Sequence, residues 1–456
     1  MKLRAPLSLL ATLVVAGAIL LGLRNGGQRP APAPAAATAA LAEVASHPER
    51  PAEAAPIIAA LRANLTLQRK LILLFADEAR LQGPARTAAL ADGHQLHHAN
   101  RALMYQVDNA LASLAREPGE RRDPALAAVL GWIEGDPELL ELDRLAFRDP
   151  LRIIQQGLPR AGSAEDAALL ARVAKALAKV NRVEARVDAE YRQVFGGPGQ
   201  ERKGQPGDRK AWSAYVEELR RRLPVAAPAP QAAAARPEAG DREIDGHELP
   251  ERVLVLSFDD GPHRVYTEEI KAILLRYRAP AVFFEVGRNL GAVDAAGAVA
   301  LKPLAALTGE LVQAGFRIGN HSYSHAQLSR ESGQPLETEI AETDQLLRAI
   351  PGAHSRLFRF PYGARTAVQL QAIRAHQLRS VLWNIDSLDW ADPVPSSVAD
   401  RVLRAIASEK RGIILFHDIH DRAGKILPML LERLRGEGYR FAGLDERGEV
   451  VLGDQP

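Results

Sequence analysis

After Glu248 the sequence alternates short β-rich runs with amphipathic segments, and this alternation constrains the fold more than any other feature of the chain. The runs are Val253 to Phe258, Ala281 to Val286, Phe316 to Ile318, Leu357 to Phe360, Ser380 to Ile385, Gly412 to Phe416 and Tyr439 to Ala442. Thr267 to Tyr277, Leu304 to Gln313, Glu337 to Ile350 and Val398 to Ser408 have helical periodicity and lie between them. Strands joined in this way form a parallel sheet with helices on the outside. Seven runs predict an α/β fold, a closed or nearly closed barrel, whose chemistry gathers at the carboxyl ends of the strands.

The polar residues fall at those ends. Asp259 and Asp260 follow the first run, His321 and His325 the third, Asp386 and Asp389 the fifth, and His417 and Asp418 the sixth, while Arg359 closes the fourth. Scattered surface charges would not all land there, so the pattern predicts one site at one mouth of the barrel.

Two histidines four residues apart can present both imidazoles to a single divalent cation. Such pairs also arise by chance, and a carboxylate strengthens the reading. Asp260 completes a His2Asp set that leaves positions open for water and substrate, and zinc, cobalt, manganese or nickel would all suit it. Asp259 is then the proton acceptor, with Arg359 holding it ionised and oriented. His417 is the candidate acid for the leaving atom, kept protonated by Asp389. These parts would hydrolyse an amide or an ester.

The remainder of the 456 residues is organised differently. Lys2 and Arg4 precede an apolar run from Leu7 to Leu23, read as an export signal or, preferably, an uncleaved anchor over residues 1–25. Residues 26–40 and 226–248 are Ala- and Pro-rich and read as linkers. Residues 41–225 between them read as a helical region. There Leu61, Leu65, Ile72 and Phe75 recur at helical spacing, and Ser163 with Asp166 resembles a capping box. Its His94, His97 and His98 read as helix-surface residues, since Asp92 is off the face of His94. The role expected of this region is that of a spacer, an oligomerisation element or a contact to envelope proteins. A net charge of +2 gives no reason to expect nucleic acid, and the absence of cysteine excludes thiolate ligands and nucleophiles.

Five blocks from Glu251 to Leu444 resemble the polysaccharide deacetylases, the NodB homology family or carbohydrate esterase family 4. They are Ser257 to Gly261, His321 to His325, Arg359 to Gly363, Asp386 to Trp390, and Leu415 to His417, in the family's order. The resemblance implies a distorted (β/α)7-type barrel over residues 249–456 and a divalent metal, most often zinc or cobalt. It makes Asp259 the base, Asp260, His321 and His325 the ligands, His417 the acid, and Arg359 and Asp389 their supports. It also gives the Tyr362 backbone N–H a part in holding the oxyanion, and places Pro361, Tyr362, Trp390 and Leu415 against the substrate. Val282 and Phe360 depart from many relatives at positions expected to affect packing rather than chemistry.

The expectation is therefore a zinc-type enzyme that removes N-acetyl groups from an envelope or extracellular amino-sugar polymer. It would be exported, held at the inner membrane by its N-terminal segment or secreted if that segment is cleaved. The alternatives are an O-acetyl esterase or lipid-linked sugar deformylase with the same site, and a glycan-binding scaffold without catalysis.

Overall fold

The computed structural model describes residues 53–76, 83–160, 162–223 and 243–452. The expected anchor and first linker lie outside the described residues. Among the described residues no helix is long and apolar enough to cross a membrane.

Six helices come first: α1 (Ala54–Phe75), α2 (Gly83–Leu114), α3 (Gly119–Gly135), α4 (Arg148–Gly157), α5 (Ala164–Phe195) and α6 (Lys210–Arg222). Helix α5 starts as its sequence dictates. The Ser163 hydroxyl accepts from Asp166 N at 3.2 Å and the Asp166 carboxylate accepts from Ser163 N at 2.8 Å, which satisfies two otherwise orphaned donors. Leu61, Leu65, Val107, Leu111, Leu130 and Val173 fill one apolar core among these helices.

The barrel follows. Its elements are β1 (Val253–Asp259), α7 (Tyr266–Arg276), β2 (Ala281–Glu285), the single turn α8 (Gly287–Leu290), β3 (Gly291–Val293), β4 (Val299–Leu301), α9 (Ala305–Gln313), β5 (Arg317–Asn320), α10 (Gly333–Arg348), β6 (Leu357–Phe358), α11 (Ala367–Ala375), β7 (Arg379–Ser380), β8 (Ile385–Asp386), α12 (Pro395–Glu409), β9 (Gly412–His417), α13 (Asp421–Gly436), β10 (Arg440–Leu444) and β11 (Val450–Leu452). Seven parallel staves run in the order β8, β9, β1, β2, β5, β6, β7, and no pairing joins β7 to β8, so the barrel is open there.

Three sequence expectations change. The run Ser380 to Ile385 is two short strands separated by Leu382 to Asn384, and Val381, still bonded to Phe358 of β6, is bridged on its other edge by Ile244. That bridge also draws residues 243–248, expected to be linker, onto the barrel. The last run is not a mouth-forming stave: β10 pairs with Val253 to Val255 only, low on the edge of β1 whose upper half pairs with β2, and β11 turns back antiparallel beside it.

Alternation along each stave builds the site. On β1, Leu254, Leu256 and Phe258 face the helices, while Val253 and Val255 face the interior. Continuing that inner face with period two brings Ser257 and then Asp259 to the mouth. On β9 the same rule follows Ile413 with Leu415 and His417. The inner wall is thus apolar at the floor and ionisable at the top. Val282 lies within the interior apolar cluster and Phe360 among Leu328, Leu336, Ile340 and Leu370, so both departures from the family pattern are packing positions.

The candidate active site

Asp259, Asp260, His321, His325, Arg359, Asp389 and His417 are all 0–6% exposed and meet at the carboxyl ends of the staves. Nine non-glycine residues among those described have a positive φ, and five of them (Asp260, Ser322, His325, Tyr362 and Leu388) belong to the loops of this mouth. Backbone strain of this kind persists where the surroundings over-determine it.

The metal-ligand geometry is specific. His325 Nε2 lies 3.0 Å from Asp260 Oδ1, and His321 Nε2 lies 3.6 Å from the same oxygen. The other ring nitrogens are engaged elsewhere: His321 Nδ1 with the Arg359 carbonyl at 2.8 Å, and His325 Nδ1 with the Tyr362 hydroxyl at 2.8 Å. With Nδ1–H donating in each ring, both Nε2 lone pairs point at Asp260. Both Asp260 oxygens are buried without a hydrogen-bond partner. Two imidazole nitrogens and a carboxylate whose oxygens have no hydrogen-bond partner fit a divalent cation. The facing imidazoles hold the Asp260 carboxyl well below the usual range against the cost of burial, and burial lowers His321 and His325 to about 4, so all three are in the ligating form at neutral pH.

Arg359 is wholly buried under the mouth. Its guanidinium donates to Asp259 Oδ1 at 2.7 Å, Ser257 Oγ at 2.8 Å, and the carbonyls of Val381 and Leu382 at 3.0 Å each. It also lies 4.0 Å from the centre of the Phe284 ring. Gly319 makes room for that ring, since a Cβ there would fall 2.5 Å from it. The sequence led to the expectation that Arg359 holds Asp259 ionised and oriented, and the contact between them is in place. Burial outweighs the arginine and raises the Asp259 carboxyl to about 6.

On the other flank His417 Nδ1 lies 2.7 Å from Asp389 Oδ1, and the His417 N–H donates to Asp389 Oδ2 at 2.9 Å. Burial opposes charging of the imidazole, but the Asp389 carboxylate outweighs it and raises His417 to about 9, while Asp389 falls to about 2. Leu415 is buried two residues before His417 on the same face of β9. Pro361 and Tyr362 form a turn beside His325, with the two rings of Tyr362 and His325 edge to face at 4.7 Å. Asp386 and Asp418, strand-end residues with no assigned role, serve structure: Asp386 accepts from Leu388 N at 2.9 Å, and Asp418 pairs with Thr267.

Helix α2 contributes what the sequence reading missed. His94, His97 and His98 do not face solvent; they are packed against the mouth. His97 Nε2 lies 3.6 Å and Arg101 Nε 3.3 Å from Asp260 Oδ2, and His98 Nδ1 lies 2.7 Å from the Tyr362 hydroxyl. The Trp390 ring packs against His94, His97 and Phe75 with centroids 5.4, 5.1 and 5.4 Å away. His97, Asp260 and His417 form a second group of potential ligands, whereas His94 and His98 do not form one together among the described residues. Helix α5 fastens the other side: Asp188 accepts from Ser396 N at 2.7 Å, and Asp400 accepts from Tyr191 Oη at 2.8 Å and Gly199 N at 2.9 Å. The spacing of His94, His97, His98 and Arg101 along one helical face was the available signal.

Residues 246–381 match the family described as polysaccharide deacetylase. A chitooligosaccharide deacetylase of Sinorhizobium fredii is 32% identical over 164 residues, which cover 36% of this chain and 70% of that protein. The chain belongs to the polysaccharide deacetylase family. Two further relatives are similar over a somewhat larger share of the chain. A peptidoglycan-N-acetylmuramic acid deacetylase of Bacillus subtilis is 28% identical over 201 residues, 44% of this chain and 39% of that protein. A peptidoglycan-N-acetylglucosamine deacetylase of Listeria monocytogenes is 29% identical over 193 residues, 42% and 38% respectively. The chain thus spans about two fifths of the length of these two. The polysaccharide deacetylase match begins at residue 246, and helices α1 to α6 lie before it.

Proposed function

We propose that the chain is a metal-dependent hydrolase that removes N-acetyl groups from amino sugars of an envelope polysaccharide, peptidoglycan or a chitin-like polymer. The observation that carries the reading is the Asp260, His321 and His325 cluster flanked on one side by Asp259 with Arg359 and on the other by His417 with Asp389. The names of the relatives, two of them peptidoglycan deacetylases, support an envelope location and this substrate class.

A divalent ion held by these three residues, zinc being the first candidate, would supply electrophilic pull on the acetyl carbonyl and acidify water beside it. Asp259 acts as base. Arg359 occupies its Oδ1, which leaves Oδ2 to take the proton as the water oxygen bonds to the carbonyl carbon. The Tyr362 backbone N–H faces the charge that develops on the acetyl oxygen. His417 holds its Nδ1 on Asp389 and so presents Nε2–H to the amide nitrogen. As the C–N bond breaks, that proton passes to the nitrogen, and acetate and a free amine result. Leu415 and Trp390 wall the space for the acetyl methyl.

The test is acetate release by the full chain from peptidoglycan, chitooligosaccharides, poly-N-acetylglucosamine and acetylxylan, with metal content measured. Asp260→Ala and His321→Ala are expected to lose metal, whereas Asp259→Asn retains metal and loses turnover. Full activity of Asp259→Asn would refute the mechanism.

A further inference from the structure

A second chamber adjoins the catalytic mouth. Between α2 with its following turn and the barrel lies an open cleft of about 440 Å³. Four cationic side chains line it: Arg101 and Arg116 from the helical region, Arg264 and Lys302 from the barrel. Asp108 is the one carboxylate among its lining residues.

These cations are poorly compensated. Arg264 donates to the neutral Asn109 amide oxygen at 3.0 Å, and Lys302 donates to the Arg288 carbonyl at 2.6 Å and the Tyr105 hydroxyl at 3.0 Å. Among the described residues no carboxylate lies within ion-pair distance of Arg116, Arg264 or Lys302. Asp108 offsets little, because burial raises its carboxyl to about 7 against the pull of Arg101 and Arg264, and the neutral His263 ring is the nearest group to it at 3.9 Å. His263, buried and surrounded by arginines, stays neutral.

The chamber is joined to the metal carboxylate. Pro262 lies on its floor two residues after Asp260, and Asn289, another lining residue, donates to the carbonyls of Asp260 at 3.0 Å and Gly261 at 3.1 Å. Arg101 lines the chamber and also reaches Asp260 Oδ2. Clustered cations in a partly enclosed, low-dielectric cleft concentrate field and recruit an anion. A stable fold gains nothing from crowding them, so the arrangement calls for a ligand.

We propose that this chamber binds an anionic group, a carboxylate or a phosphate, carried by the same glycan whose acetamide lies at Asp260. The inference rests on the deacetylase reading and narrows its substrate to amino-sugar chains bearing such a group. A carboxylate would come from an acidic ether substituent on an N-acetylated sugar, a phosphate from a phosphorylated amino sugar.

The experiment compares kcat/KM for acetate release by the zinc-loaded full chain on three substrates: a neutral N-acetylglucosamine oligomer, an oligomer of equal length carrying lactyl carboxylates, and N-acetylglucosamine 1-phosphate. One anionic arm is expected to exceed the neutral oligomer by about tenfold, the scale of a charge-assisted hydrogen bond. The responding arm identifies the source. Arg264→Ala/Lys302→Ala is expected to collapse that ratio, while Arg447→Ala, a remote exposed charge, leaves it in place. Binding of the same ligands to Asp259→Asn, with and without the double substitution, is measured by calorimetry. Equal turnover of neutral and anionic substrates, or a ratio unmoved in the double variant, overturns the inference and leaves the deacetylase reading standing. No turnover of any substrate, with anion binding that the double substitution abolishes, overturns the deacetylase reading and supports the chamber.

Discussion

Arg101 Nε stands 3.3 Å from Asp260 Oδ2, while His325 Nε2 stands 3.0 Å from Oδ1 of the same carboxylate. Asp260 is therefore shared between the barrel's candidate metal-ligand cluster and a helix that precedes the family match. A guanidinium so close to a ligand carboxylate opposes a divalent cation by direct repulsion. At a few ångströms and an effective dielectric near 20, such a term reaches about 2 kcal/mol or more. Arg101→Ala is expected to tighten zinc binding by about tenfold or more, read by competition with a chromophoric chelator. Unchanged or weakened affinity would show that Arg101 does not compete for Asp260.

The Tyr362 hydroxyl lies 2.8 Å from His325 Nδ1 and 2.7 Å from His98 Nδ1. With His325 ligating through Nε2, its Nδ1–H donates to Tyr362, whose own O–H is then free to donate to His98. Partners that fix the far nitrogen of a ligating imidazole typically contribute 10- to 100-fold in affinity. Tyr362→Phe is expected to weaken metal binding by about tenfold, and His98→Ala should shift it the same way by less. Cobalt substitution provides a second readout, because a released His325 ring would alter the d–d spectrum. Identical spectra and affinities in both variants would contradict the relay.

With His417 as the acid, the His417–Asp389 pair is expected to govern the alkaline side of the pH profile. The Asp389 carboxylate raises His417 to about 9 against the cost of burial, so the acid form prevails below that pH and is lost above it. The pair's contribution to stability has the matching sign. The histidine's share is full below its unfolded value near 6.5 and disappears as pH rises through about 9. Activity is expected to fall on a limb near pH 9 in the wild-type chain. Asp389→Asn should move that limb toward neutrality and lower turnover at pH 8, measured as kcat/KM against pH. A limb that stays at 9 in Asp389→Asn would remove His417 from the acid role.

The barrel and the clustering of Asp260, His321 and His325 were legible because both obey short-range rules. Period-two alternation on β1 and β9 carries Asp259 and His417 to the mouth, and strand-end placement collects the rest. The pairing of Ile244 with Val381, more than a hundred residues away, was not legible, since nothing local to either residue signals it. The packing of His94, His97 and His98 against the mouth escaped for the same reason. On α2 they form a polar face that looks solvated until Trp390, Tyr362 and Asp260 are brought against it. Asp259 shows a subtler case: Arg359 was identifiable as its partner, but only the depth of burial decides that the carboxyl rises to about 6 instead of falling.

The docking of α2 depends on one small residue. A Cβ on Gly93 would lie 2.7 Å from the Phe75 ring and 3.0 Å from the Trp390 ring, closer than packed carbons approach. Those two rings meet edge to face at 5.4 Å, a contact of about 0.5–1.5 kcal/mol beyond its buried area. Gly93→Val must therefore displace Phe75, Trp390 or the helix itself, at an overpacking cost of about 1–3 kcal/mol. The variant is expected to unfold at lower temperature and to show red-shifted tryptophan emission as Trp390 gains water, while α1 to α6 keep their far-ultraviolet helical signal. Emission and midpoint equal to wild type would mean that α2 does not rest on Trp390 in solution, and the contacts of His97, His98 and Arg101 with the mouth would fall with it.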